Sequence, residues 1–169
     1  MLTSYHNHTK WSDGKPTIAE QIEAAKGFRL DEIGISDHFT LTPSKEPVSW
    51  SMPINKIGDY VDELLEAKKN TKGIEVRVGL EADFFPETVK QLKEIVAKYP
   101  FDYIIGSVHF VDNFPIDESA QNWDSLAKFQ RDEVWRDYWV RIKQMAESRV
   151  FDFAAHIDLP KRFGHYPAF

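Results

Sequence analysis

The chain of 169 residues contains no cysteine. Disulfides and thiolate metal sites are therefore excluded. Any metal must rest on imidazole and carboxylate, a ligand set that suits Zn, Mn or Fe. No apolar run approaches the ~18 residues of a membrane span, and no signal-peptide pattern opens the chain. A cytoplasmic protein with no membrane association is expected. Positive charge is in the minority: 21 Lys and Arg stand against 27 Asp and Glu, for a net charge of -6. With no basic stripe, the electrostatic footprint of a duplex-DNA binder is missing. A metal site would add positive charge locally, so an anionic substrate stays compatible with the acidic surface. Internal repeats, low-complexity runs and linkers are also absent. The remainder, 42% apolar and 14% aromatic, reads as one domain over residues 1–169 with a sizeable core.

What is present begins with His6-Asn7-His8. Leu2 to Tyr5 reads as a short strand, and residues two apart on an extended backbone point to one side. Both imidazoles would therefore aim at one point. A polar loop follows through Asp13-Gly14. Pro16-Thr17 opens a helix in which Thr17 and Glu20 form a capping box, with Ile18, Ile22, Ala25 and Phe28 on one face. Glu32 to Ser36 is a second strand, ending in Asp37-His38. Residues 40–53 hold three prolines and read as a long loop of the kind that more often forms a lid than scaffold. Ile57, Val61, Leu64 and Leu65 mark a helix to Asn70. Ile74 to Leu80 is a third strand running into Glu81. Pro86 starts a helix to about Lys98. Tyr103 to His109 is a fourth strand, and loop continues to Asn122. Asp124 caps a long aromatic-rich helix to Ser148, and Val150 to Ala155 is a fifth strand ending in His156. Alternating strands and helices imply a parallel sheet with right-handed crossovers.

Each candidate ligand follows a strand. His6 and His8 follow the first, His38 the second, Glu81 the third, His109 the fourth and His156 the fifth. Parallel strands share one C-terminal face, where α/β proteins carry their sites. Five of six histidines thus converge with at least one carboxylate, and Asp13 lies in the first loop within reach. Glu81, with two oxygens, is the best bridging ligand. Metals held this way lower the pKa of bound water to around 7, and a pair of ions can hold both the attacking and leaving oxygens of a displacement. Neutral imidazoles leave such a site electropositive, as a phosphate ester requires. Asp37 reads as structural or outer support, Asp83 and Asp158 as loop residues or caps, and His165 as solvated.

At these residues the chain resembles the polymerase-and-histidinol-phosphatase (PHP) superfamily. It is most similar to the monofunctional histidinol-phosphate phosphatases. The matching stretches are His6-Asn7-His8-Thr9, Ser12-Asp13-Gly14, Ser36-Asp37-His38, Gly79-Leu80-Glu81, Gly106-Ser107-Val108-His109 and Ala155-His156-Ile157-Asp158. The resemblance implies a distorted (β/α)7, TIM-like barrel with two to three divalent ions. His6, His8 and Glu81 would hold the first ion, Glu81, His109 and His156 the second, and Asp13 and His38 the third. Glu81 and His109 would be catalytic through a bridging hydroxide that attacks phosphorus. The substrate implied is L-histidinol phosphate, cleaved to L-histidinol and phosphate in histidine biosynthesis. Lys161 and Arg162 fall where family members carry basic residues near the phosphate.

The resemblance also exposes a departure. The family pattern closes with Asp-x-His after a late strand, and this sequence contains no such motif. The fold implied needs seven strands, whereas about five are readable. The expectation is a C-terminally incomplete barrel, its open edges covered by a missing segment or by self-association. Two other functions compete. One is a PHP-type nuclease or nucleotide phosphatase, disfavoured by the lack of an aromatic-basic groove. The other is a metal-binding module without activity because the last ligands are missing. A hydrolase of C–N bonds is a weaker third, lacking the later strand-end residues it would need.

Overall fold

The computed structural model describes residues 1–168. In chain order it contains β1 (Thr3–Ser4), α1 (Ile18–Gly27), β2 (Glu32–Ile35) and β3 (His38–Phe39), then a 3-10 turn (Ile54–Lys56) leading into α2 (Ile57–Asn70). Next come β4 (Glu75–Asp83), α3 (Val89–Val96), β5 (Tyr103–Ser107), β6 (Phe110–Val111) and β7 (Phe114–Pro115). The chain continues through α4 (Ala120–Asp124), α5 (Lys128–Ser148), β8 (Phe153–Ala154) and a second 3-10 turn (Leu159–Lys161). No helix among the described residues is long and apolar enough to cross a membrane.

The sheet runs β1-β2-β4-β5-β8, every neighbouring pair parallel. Ile35 pairs with Val78 and His38 with Glu81, so β3 continues β2 in the same register on β4. The two are one strand line, interrupted at Ser36-Asp37. β4 is central, and from Val78 to Asp83 every residue is buried. Burial on both faces explains the apolar Val78, Leu80 and Ala82 of this stretch and leaves Glu81 and Asp83 as buried carboxylates. α1, α2 and α3 cover the sheet with Ile18, Ile22, Ala25, Ile57, Tyr60, Val61, Leu64 and Leu92. A second cluster, built from Trp123, Trp135, Tyr138 and Met145, packs with Val108, Val111 and Ile116.

The sheet is curled into a half-barrel of five strands. β1 and β8 stand four strand spacings apart, about 19 Å if the sheet were flat. Yet the rings of His6, after β1, and His156, after β8, have centroids 5.6 Å apart. A single side chain records the same curvature lower down. Tyr103 on β5 reaches past β4 and β2 to donate its hydroxyl to the Tyr5 carbonyl at 2.7 Å. Gly34 and Gly79 make room for it. A Cβ would lie 2.1 Å from the Tyr103 hydroxyl at Gly34 and 2.2 Å from the ring at Gly79.

The capping box of α1 is present in full. The Thr17 hydroxyl accepts from the Glu20 N–H at 3.2 Å, and the Glu20 carboxylate accepts from the Thr17 N–H at 2.7 Å. Elsewhere the boundaries differ from the expected ones. Phe28 lies beyond the end of α1 and is 79% exposed. Pro86 sits in a turn and α3 starts at Val89; the preceding Thr88 does not cap the helix but donates its hydroxyl to the Leu41 carbonyl at 2.7 Å. The fourth and fifth strands are shorter than expected, ending at Ser107 and Ala154. Asp124 does not cap the long helix but ends the short α4. There the Arg131 guanidinium takes the carbonyls of Trp123, Asp124 and Leu126 and stops the helix. α5 starts afresh, with the Gln130 side chain accepting from the Ala127 N–H at 2.8 Å. The stretch read as loop before Asn122 contains the β6–β7 hairpin and the start of α4.

Candidate metal centre and cleft

Glu81 stands at the middle of the candidate site. It sits on the central strand, 1% exposed. Strand alternation sends its side chain to the face where the neighbouring strands end. His6 Nε2 lies 2.9 Å, His8 Nε2 2.8 Å and His38 Nδ1 3.0 Å from its Oε2. His156 Nε2 lies 3.2 Å and His109 Nε2 3.8 Å from Oε1, to which Ser107 also donates a short hydrogen bond. Asp13 completes the group, its Oδ1 3.0 Å from His8 Nδ1 and 3.8 Å from His38 Nε2. All seven residues singled out as ligands are therefore brought together.

Electrostatics follow from this crowding. Burial would push the Glu81 carboxyl up, but contacts from His156, His38, His6 and His8 outweigh it and hold the group far below the usual carboxylate range. Burial also opposes charge on His8, and Glu81 and Asp13 still raise it. His109, buried as well, is pushed up to about 9, chiefly by the Asp83 carboxylate and then by Glu81.

The donor set fits divalent ions. Three imidazole nitrogens crowd one carboxylate oxygen, more than it can serve with well-aligned hydrogen bonds. Two of them, His8 Nε2 and His38 Nδ1, are buried and, though close to Glu81 Oε2, make no hydrogen bond of acceptable geometry among the described residues, an arrangement that is costly unless a ligand satisfies them. Among the described residues, three groups have ligand atoms within 4.8 Å of one another: His6, His8 and Glu81; His8, Asp13 and His38; and His38, Glu81 and His109. The first coincides with the expected set. The second contains the expected pair Asp13 and His38 together with His8, and the third joins Glu81 and His109 with His38 instead of His156, which stands on the far oxygen of Glu81.

Asp83 and Trp50 went unread in the sequence as parts of the site, whereas Asp37 takes the structural role expected of it. Asp83 is 3% exposed, not a loop residue. Its Oδ1 accepts from His109 Nδ1 at 2.8 Å and from the His109 N–H at 3.1 Å, and its Oδ2 accepts from the Thr40 hydroxyl at 2.7 Å. This fixes the His109 tautomer and turns Nε2 toward Glu81. Strand alternation could have found it, since Glu81 and Asp83 are two apart. Asp37 is structural. It accepts from the Thr9 N–H and hydroxyl, both at 2.7 Å, and from the Ser12 hydroxyl at 2.6 Å, pinning the first loop. Trp50 packs edge-on against His38 and His109, at 4.7 and 5.2 Å between centroids.

A cleft of about 380 Å³ opens beside the cluster, lined in part by Asp13, His38, Trp50 and His109. Arg162 also lines it and pairs with Asp117 at 3.2 Å. Lys161 does not line it; its ion-pair partner is Asp158, 3.6 Å away. His165 is not solvated. Its ring stacks on Trp123, 5.9 Å away at 14°, with Nε2 3.2 Å from Asp124.

A curled parallel half-barrel that gathers imidazoles and carboxylates at its strand ends defines an α/β protein of metal-centre type. The chain belongs to the PHP domain family, whose model matches residues 4–169. It is 32% identical to a probable histidinol-phosphatase of Deinococcus radiodurans and 30% identical to one of Clostridium acetobutylicum, over 97% and 98% of its own length. It spans 63% and 61% of those relatives. Among solved structures, HisK of Listeria monocytogenes superposes with a TM-score of 0.81 at 21% identity, covering 96% of this chain and 71% of that one. The histidinol phosphate phosphatase of Lactococcus lactis, solved with Zn, L-histidinol and phosphate, gives 0.77 at 19%, covering 98% and 61%. These likenesses establish the fold.

Proposed function

We propose that the chain carries the metal-holding part of a phosphomonoester hydrolase, acting on L-histidinol phosphate to give L-histidinol and phosphate in histidine biosynthesis. The observation that carries this reading is the convergence of five imidazoles on the buried Glu81 carboxylate. The histidinol-phosphatase names of the relatives and the contents of the Lactococcus lactis structure support the substrate.

Two to three divalent ions, Zn, Mn or Fe, would be held by His6, His8, Asp13, His38, Glu81, His109 and His156. When bound, such ions supply activated water at neutral pH and offset charge on phosphoryl oxygens. The chain's own residues do the rest. Glu81, ionised at any ordinary pH, bridges the imidazoles. Asp83 holds His109 in one tautomer. Asp37 locks the loop that carries Asp13. Arg162 faces the cleft, where its guanidinium can take a phosphate oxygen. Trp50 walls His38 and His109 from solvent. Lys161, tied to Asp158, is left out of this scheme.

Residues 1–169 are read as a single phosphoesterase domain lacking the last two of seven strands. The edges at β1 and β8 would be covered by further chain or by a second copy. A phosphatase of a small biosynthetic intermediate works where that intermediate is made, and we place it in the cytoplasm. The nuclease reading is disfavoured because the cleft carries Asp117 and Glu118 against one Arg162. The test is phosphate release from L-histidinol phosphate with Mn or Zn supplied, beside His109→Ala. Turnover abolished in the variant is expected. Metal bound tightly without any turnover would favour the inactive binding module instead.

A further inference from the structure

Four histidines of the cluster are held at their own carbonyls by groups from outside the strands they follow. The His8 carbonyl accepts from Gln21 Nε2 of α1 at 2.9 Å. The His38 carbonyl accepts from the Met52 N–H at 2.9 Å, and that of His109 from the Ile116 N–H at 2.8 Å. The His156 carbonyl accepts from the Tyr138 hydroxyl of α5 at 3.2 Å and from the Leu159 N–H at 3.0 Å.

The hold matters most at His156. Glu81 lies inside the longest strand, and Asp83 fixes the ring of His109. By contrast β8 is an edge strand of two exposed residues, paired with β5 through Phe153 and Ala154. The Ala155 N–H still reaches the Gly106 carbonyl at 2.9 Å, but Ile157 is already 48% exposed. So short an edge leaves the following loop free to swing unless something outside the sheet grips it.

α5 supplies that grip. Arg131, Trp135 and Tyr138 stand at i, i+4 and i+7 and share one face of the helix. Trp135 Nε1 donates to the His165 carbonyl at 3.1 Å, and Arg131 Nη1 lies 3.4 Å from His165 Nδ1. Tyr138 is 1% exposed in the cluster with Trp135 and Met145. A tyrosine hydroxyl so buried needs an acceptor, and here the acceptor is the main chain of a candidate ligand. With Ala155 bonded on one side and the His156 carbonyl on the other, the ligand's backbone is fixed from both directions. Its Nε2 then stands 3.2 Å from Glu81 Oε1.

We infer that Tyr138 is a positioning residue for the metal centre, aiming His156 at Glu81 through the main-chain carbonyl without entering the ligand set. This rests on the metal-centre reading above and adds to it the residue that sets one corner of the centre from outside the sheet. Partners behind metal ligands are worth about 10–100-fold in affinity, and a hold on the main chain belongs at the low end of that range.

The experiment is competition for Zn between a chromophoric chelator and the full chain, with Tyr138→Phe made in three backgrounds. Phenylalanine keeps the ring in its cluster and removes the hydroxyl. In the wild-type background Tyr138→Phe is expected to weaken Zn binding about tenfold. In His156→Ala it is expected to cause no further loss, and in His8→Ala the full loss again, because residues that act as one unit couple and independent ones add. Wild-type affinity in Tyr138→Phe overturns the inference. So does an equal loss with and without the His156 imidazole, which is what general loosening of the fold would give. Hydrogen exchange of the metal-free chain gives a second reading. Amides 155–159 are expected to exchange faster in Tyr138→Phe while those of α5 keep their protection; unchanged exchange at 155–159 also overturns the inference. Hydrolysis separates it from its parent. His109-dependent phosphate release, with Zn affinity indifferent to Tyr138→Phe, would sink the role of Tyr138 and leave the hydrolase. No release from L-histidinol phosphate, with the Tyr138–His156 coupling intact, would sink the hydrolase and leave the positioning.

Discussion

Asp83 does for His109 what the ligands cannot do for themselves: it chooses the tautomer. Replacing it with Asn keeps the shape but removes the charge that holds Nδ1–H. Partners of this kind are worth about 10–100-fold in metal affinity, and Asp83→Asn is expected to lose that much in a competitive chelator titration. A second carboxylate gives a pH prediction away from the metal. Glu32 is held below its ordinary range by hydrogen bonds from Arg77, at 2.5 Å, and Tyr5. A depressed folded-state value means the unfolded chain takes up protons first on acidification. The stabilisation is therefore present above the unfolded value near 4.5 and is lost as pH falls through the lower folded one. Urea melts across that window are expected to show an acid-sensitive component that Glu32→Gln removes. At this scale the sequence was readable where pattern and chemistry coincided. His6, His8, Glu81, His109 and His156 were legible as strand-end residues. Asp83 was not, because the strand extends three residues past Leu80 and its buried end resembles a loop in composition. Lys161 and Arg162 are adjacent in sequence, and only geometry separates the one on the cleft from the one paired with Asp158.

Elements were legible in proportion to how locally they are determined. α1 announced itself through the Thr17–Glu20 box, and α2 through its apolar spacing. The α4–α5 boundary was not, because it depends on Arg131 reaching back to three carbonyls, and the burial of Trp123 that fixes α4 is a long-range event. The β6–β7 hairpin is only two residues per strand, too short for alternation to register. The curl of the sheet was equally invisible, since periodicity reports that strands are parallel and not how far they bend. Its local requirement sits at the glycines beneath Tyr103. Gly79→Ala would place a methyl 2.2 Å from that ring, and overpacking of this kind costs about 1–3 kcal/mol. Denaturant unfolding is expected to show that loss, with partial recovery on adding Tyr103→Leu.

Across the whole molecule, Glu81 is the point where the two edges of the sheet meet. His6 and His156 come from opposite edges of the five-strand sheet and touch the same carboxylate. Ions bound at the proposed centre would tie the edges together and so couple to global stability. At about 100-fold excess over Kd a single site adds roughly 2.7 kcal/mol, or roughly 5–10 °C in melting temperature for a chain of this size. Thermal melts with Mn or Zn are expected to rise by that amount, and the rise is expected to shrink in His156→Ala. A metal-indifferent melt would contradict the proposed centre.

The same meeting of sheet edges bears on synthesis. Glu81 leaves the ribosome long before its last imidazole neighbour, which is encoded 75 residues later. At about 5–20 residues per second the interval is roughly 4–15 s. During that time the nascent chain presents His6, His8, His38 and an acidic partner with no fifth strand to close the sheet. An ion captured early would be held by the first strands alone and would template the curl before β8 exists. An ion captured late would find the edges already drawn together. Were ions to bind at the proposed centre, the order in which metal and β8 arrive would choose between two assembly routes, set by the supply of free metal around the growing chain.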